Sequence, residues 1–165
     1  MYRVSIYLRR HLTRRQGRIR PLVRIPPDMN APIHERDFQP LAAFRYGLRK
    51  FLRFSKEYLA AEANLTPEQY EALLALKAFS HKHGLLVGEL SERLQVKHHT
   101  AVSLTDKLAQ RKLVSRKRGT TDRRQVHVQL TAAGAALVTR LAAAHRDRLL
   151  VLAPELLAAL KGLQE

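Results

Sequence analysis

A chain of 165 residues, 45% of them apolar, is long enough for one domain with a real core and too short to expect two. No apolar run reaches the roughly eighteen positions of a membrane span. The complete lack of cysteine removes disulfides, thiolate zinc sites, thiol nucleophiles and thiol-based redox sensing together. Thirty Lys and Arg against fourteen Asp and Glu leave a formal charge of +16, a surplus that normally faces a polyanion such as nucleic acid. There is no Gly-rich phosphate loop, no nucleophile with a matching base and no paired-acid motif, so neither an enzyme nor a cofactor is expected.

Residues 1–28 hold eight arginines against Asp28 alone, with Pro21, Pro26 and Pro27 and no sustained period. They are expected to be a basic, disordered extension of a domain that occupies 29–165. Either they are dispensable, Met29 serving as an alternative start, or they form an arm that touches phosphates. Leu41, Phe44, Leu48, Phe51, Leu52 and Leu59 recur at helical spacing and predict a long amphipathic helix from about Asp37 to Glu62, ended by Asn64. Next, Thr66 can cap a helix that opens on Pro67, with Gln69 reaching back and Leu65 packing on Tyr70. Its inward set is Leu73, Leu74, Leu76 and Phe79, and it fails in the polar stretch from Ser80 to Gly84.

Leu86, Val87, Leu90 and Leu94 predict a third, two-turn helix. A tight turn with Val96 inward leads to a fourth helix from about His98 to Arg111, giving a helix-turn-helix. The fourth helix turns Ala101, Leu104 and Leu108 inward, which leaves His98, His99, Thr100, Ser103 and Lys107 outward near its amino end. Val114–Arg118 and Gln125–Leu130 read as the two strands of a hairpin whose polar connection, 119–124, projects Arg123 and Arg124 as a wing. Thr131 then caps an Ala-rich helix carrying Leu137, Leu141, Leu149 and Leu152, and Pro154 is expected to start a last helix carrying Leu156, Leu157, Leu160 and Leu163. The fold class is mainly α with a small β-hairpin: a winged helix-turn-helix lobe at 65–131 flanked by dimerisation helices at 37–63 and 132–163. Those terminal helices offer more leucine than one small lobe can cover, which calls for a second copy of the chain.

This order resembles the MarR family of bacterial regulators over nearly all of residues 37–163. Three stretches carry the resemblance: Leu65-Thr66-Pro67-Glu68-Gln69-Tyr70, Gly88-Glu89-Leu90-Ser91-Glu92-Arg93-Leu94, and Asp122-Arg123-Arg124 followed by Leu130-Thr131. The resemblance implies a cytoplasmic, nucleoid-associated homodimer on double-stranded DNA, each recognition helix in a major groove and each wing beside a minor groove. Two-fold symmetry then asks for a pseudo-palindromic operator with half-sites ~34 Å apart. It further implies that Asp122 stabilises the wing by pairing with Arg124, that Arg123 reaches DNA, that Thr100 touches phosphate and that Ser103 reads a base. Lys97 and Lys107 contribute charge, and Arg118, Thr120 and Thr121 complete the expected DNA-contacting set.

The family's usual habit is repression relieved by a small anionic or aromatic effector held between the two lobes. Arg45, Tyr46, Arg49 and Tyr70 are the candidates to hold one, against the plainer reading of core aromatics alternating with solvated arginines. His98 and His99 face a groove or cap the helix, or else ligate zinc; His81 and His83 lie in an exposed polar loop or bind zinc with a residue from elsewhere, and no metal site is assigned. The rival to a sequence-specific regulator is a non-specific architectural nucleic-acid binder, since +16 attracts any polyanion at low salt.

Overall fold

A computed structural model describes residues 32–80, 84–118 and 125–164. The basic extension at 1–28, His81, His83 and the wing connection from Thr120 to Arg124 lie outside the described residues. His34–Glu165 form one compact unit.

Helix α1, Glu35–Ala63, starts two residues earlier than its apolar period suggests. The Asp37 carboxylate accepts the His34 backbone N–H at 2.7 Å and closes the first turn from outside the periodic stretch. Asn64 ends it in the left-handed conformation, φ 49°. Thr66 caps α2, Pro67–Phe79, accepting from the Gln69 amide at 3.3 Å while the Gln69 side chain accepts from the Thr66 amide at 3.0 Å. Ala72, Leu73 and Leu76 are buried, whereas Leu74 and Phe79 stay largely exposed, against expectation. Phe79 lies at the last turn and instead carries the Arg93 guanidinium 3.8 Å above its ring.

The sheet has three strands, not two. Leu85–Leu86 form a short β1 beside Val126–Leu130 (β3), which pairs on its other edge with Val114–Arg118 (β2), giving the antiparallel order β1-β3-β2. Gly84 makes the entry into β1 at φ 91°, and a Cβ there would stand 2.3 Å from the Val128 carbonyl oxygen. Between the strands lie α3, Val87–Arg93, and α4, His98–Gln110.

The expected last two helices are a single one, α5, Ala132–Lys161, which runs through Pro154. Proline forfeits the bond to the Leu150 carbonyl. Leu150 faces solvent, where water can satisfy that oxygen, while Leu152 and Ala159 on either side are buried and hold the axis. Helices α1 and α5 run antiparallel. Gly47 lets α5 approach so closely that a Cβ would sit 2.7 Å from Leu156 Cδ2, Lys50 bonds Glu155 at 2.8 Å, and Arg140 bonds Glu62 at 3.1 Å. Midway, buried His145 is ringed by Phe51, Phe54, Tyr58 and Tyr70. The Leu141 carbonyl can only accept, so Nδ1 of His145 donates to it at 2.8 Å, and Nε2 meets the Ser55 hydroxyl at 3.0 Å.

Away from this seam the α1–α5 pair is not covered. Phe38, Leu41, Leu48 and Leu52 on α1, with Leu149, Leu150, Val151, Leu157 and Leu160 on α5, are exposed, so Leu149, Leu157 and Leu160 do not join the core of the protomer.

Candidate nucleic-acid interface

The helix-turn-helix is built by local hydrogen bonds. Glu89 reaches back from α3 to accept the Leu86 amide at 2.9 Å, and Ser91 donates to the Gly88 carbonyl at 2.7 Å. The turn passes through Gln95 at φ 55°, whose side-chain amide donates to the Glu92 carbonyl at 2.6 Å, and the Val96 amide returns to the Ser91 carbonyl at 3.0 Å. Lys97, extended, begins α4 without a side-chain cap, and no acid stands in the first turn. The unpaired amides there and the positive end of the helix dipole favour an anion.

Ala101, Leu104, Thr105 and Leu108 are buried under α4. Lys97, His98, His99, Ser103 and Lys107 are exposed and Thr100 is half-buried, so the outward set forms one continuous face. His99, Ser103 and Lys107, four residues apart, make its stripe. Among the described residues no group of three His, Asp or Glu side chains could hold a metal ion.

Asp106 on α4 forms an ion pair with Arg116 on β2, which ties the recognition helix to the base of the wing and occupies that guanidinium. Lys117 on the same strand is exposed, and the Arg118 backbone pairs with Val126. Neither the Asp106–Arg116 pair nor the contacts of Arg111, which donates to the Asn64 carbonyl at 2.8 Å and to the Ala63 carbonyl at 2.6 Å, were anticipated from sequence. A charge in the last turn of a helix reads as that helix's own dipole partner, and only the tertiary arrangement reveals a different acceptor.

Of the four candidates for an effector, three stand together on α1 and the fourth is buried. Arg45, Tyr46 and Arg49 are exposed on α1, and Tyr46 has Lys50 5.1 Å from its ring centre. Tyr70 is buried, stacked on His145 at 4.4 Å, and burial pushes its phenol above the usual tyrosine range. A cavity of 390 Å³ opens elsewhere, between α3, the start of α4 and the sheet, lined by Val87, Glu89, Glu92, His98, Val102 and Arg116 among others.

Comparison with known proteins gives consistent matches. Residues 63–125 match the MarR family model. The HTH-type transcriptional repressor MdtR of Bacillus subtilis (strain 168) is 39% identical over 71 residues, 42% of this chain and 43% of MdtR, so the match spans under half of that relative's length. A crystal structure of a MepR–DNA complex from Staphylococcus aureus superposes with a TM-score of 0.62 at 23% identity, over 70% of this chain and 82% of MepR. BpsR of Bordetella bronchiseptica does so with a TM-score of 0.56 at 21% identity, over 69% of this chain and 83% of its own. The two structures establish the fold, and across the helix-turn-helix and the start of the wing the sequence is similar to the MarR family.

Proposed function

We propose that the protein is a homodimeric regulator of transcription that binds a pseudo-palindromic operator, with α4 in the major groove and the wing beside the minor groove. The observation that carries this is the outward face of α4: five exposed side chains around an uncapped helix start, held to the basic strand β2 through Asp106 and Arg116. MepR, whose structure includes DNA, and MdtR, a repressor, support DNA as the partner and repression as the outcome. The exposed apolar side chains of α1 and α5 support a second copy as the other partner. BpsR, whose DNA binding is regulated by 6-hydroxynicotinic acid, supports release by a small anionic or aromatic effector. Arg45, Tyr46 and Arg49 are its exposed candidate contacts.

The test is fluorescence anisotropy at ~150 mM salt with the chain's own upstream DNA, a scrambled duplex, and duplexes selected from random sequence. A preference of ~10³ for one sequence, with two protomers per site, is expected of a base-reading dimer. Equal weak binding that fades between roughly 50 and 200 mM salt would favour the architectural alternative, which the +16 charge supports.

Within this reading the side chains divide their work. Arg123→Ala is expected to weaken binding to every duplex, because a wing arginine holds phosphates or a narrow minor groove. Ser103→Ala is expected to change which duplex is preferred, by about 1–3 kcal/mol at one base pair. Anisotropy on a panel of single-base variants checks both, and equal losses on every duplex for both variants would remove the division. Lys97, His98, His99, Thr100, Lys107, Arg118, Thr120 and Thr121 are assigned to the same interface, with Asp122 steadying Arg124.

A further inference from the structure

Helix α1 ends with carbonyls that no later turn can satisfy, and its last turn contains no basic residue to offset the negative end of its dipole. Arg111 supplies both from another element. Its two terminal nitrogens donate to consecutive carbonyls, Nη1 to Asn64 at 2.8 Å and Nη2 to Ala63 at 2.6 Å. Arg111 is itself the residue that ends α4, after which the chain turns through Lys112 at φ 57° and closes with the Leu113 amide on the Leu108 carbonyl at 3.0 Å. On the opposite side, the Thr131 hydroxyl at the head of α5 donates to the Lys112 carbonyl at 2.8 Å, and the Thr131 amide to Leu113 at 3.1 Å. The carboxyl end of the recognition helix is therefore clasped between the end of α1 and the start of α5.

We propose that Arg111 is a positioning residue that sets the angle of α4 to the α1–α5 pair, and through it the half-site spacing the dimer accepts; this rests on the dimeric reading above. A planar fork on two neighbouring carbonyls fixes direction as well as distance, which a single ammonium does not. Helix α4 packs chiefly on α2, α3 and β2, so the fork is its polar tie to α1. The leverage is large. Thirteen residues make a rod ~20 Å long, and a rotation of about 10° at the clasped end carries the amino end ~3.4 Å, one base-pair step.

The test uses the full chain and a duplex obtained by selection, together with duplexes whose half-sites are moved apart or together by one base pair. Affinities are read by anisotropy at ~150 mM salt and folding by circular dichroism. The wild type is expected to prefer the selected spacing by roughly tenfold. In Arg111→Ala that preference falls below about twofold while binding to a scrambled duplex is unchanged. Arg111→Lys keeps the charge without the fork and is expected to lose the spacing preference as well; it carries the same test should the alanine variant fail to fold. Retention of the wild-type spacing preference by both variants would overturn the inference and leave the regulator standing. If Arg111→Lys behaves as wild type while Arg111→Ala loses affinity on every duplex alike, Arg111 is a phosphate contact and the inference fails. A wild type without any preferred duplex removes the regulator and the inference together.

Discussion

Gly134→Val is expected to abolish cooperative folding. A Cβ at Gly134 would stand 2.0 Å from the Leu113 carbonyl oxygen and 2.9 Å from its carbon, both backbone atoms. They have little room to retreat: Leu113 is buried, its amide bonds Leu108 at 3.0 Å, and its carbonyl accepts from the Thr131 amide at 3.1 Å. Ordinary overpacking costs roughly 1–3 kcal/mol where side chains can shift. Here the helix start would have to leave its cap, where Thr131 accepts from the Gly134 amide at 3.0 Å, so the loss approaches the whole ~5–15 kcal/mol of a typical domain. Thermal unfolding by circular dichroism decides it. Gly134→Ala should already melt well below the wild type, and an alanine variant with wild-type stability would show that the head of α5 can slide away from Leu113.

The second large effect concerns assembly. Leu150 and Leu157 are 65% and 56% exposed and lie seven residues apart on α5, so they share one face of the helix. The double replacement Leu150→Glu with Leu157→Glu is expected to yield a folded monomer, since neither side chain belongs to the protomer core, and to weaken binding to a selected operator by ~100-fold or more. Without the partner, the second half-site is no longer presented at the high effective concentration that linkage provides. Sedimentation velocity gives the mass and anisotropy the affinity. A double variant that sediments with the mass of the wild type would move the proposed interface to another part of the pair, toward Phe38 and Leu41.

Elements declared by local chemistry were legible in the sequence. The Thr66–Gln69 box and the Asn64 terminus appear where side-chain chemistry required them, and β2 and β3 fall within a residue of their alternating pattern. The outward face of α4 followed from its inward set, because a 3.6-residue period leaves little choice once Ala101, Leu104 and Leu108 are buried. What failed depended on distant contacts. Leu85–Leu86 is too short to show a period of two, Leu86 reads from sequence as the start of the next helix, and the pair is a strand only because β3 lies beside it. Pro154 reads locally as a helix start, yet burial of Leu152 and Ala159 keeps one axis through it. Nor does anything near Tyr70 in sequence announce His145, the stacking partner against which its ring is buried.

The short β1 has a mechanical consequence. Leu85 and Leu86 pair with Val128 and His127 on the wing's inner strand, and the next residue, Val87, already begins α3. With Asp106 and Arg116 joined on the far side, the described strands of the wing are tied to the helix-turn-helix at both edges of the sheet. In the proposed complex, a tilt that withdraws α4 from its groove withdraws the wing strands by the same motion. Protection of DNA from cleavage should accordingly vanish over a whole half-site at one effector or salt concentration, rather than retreating from its edge inward.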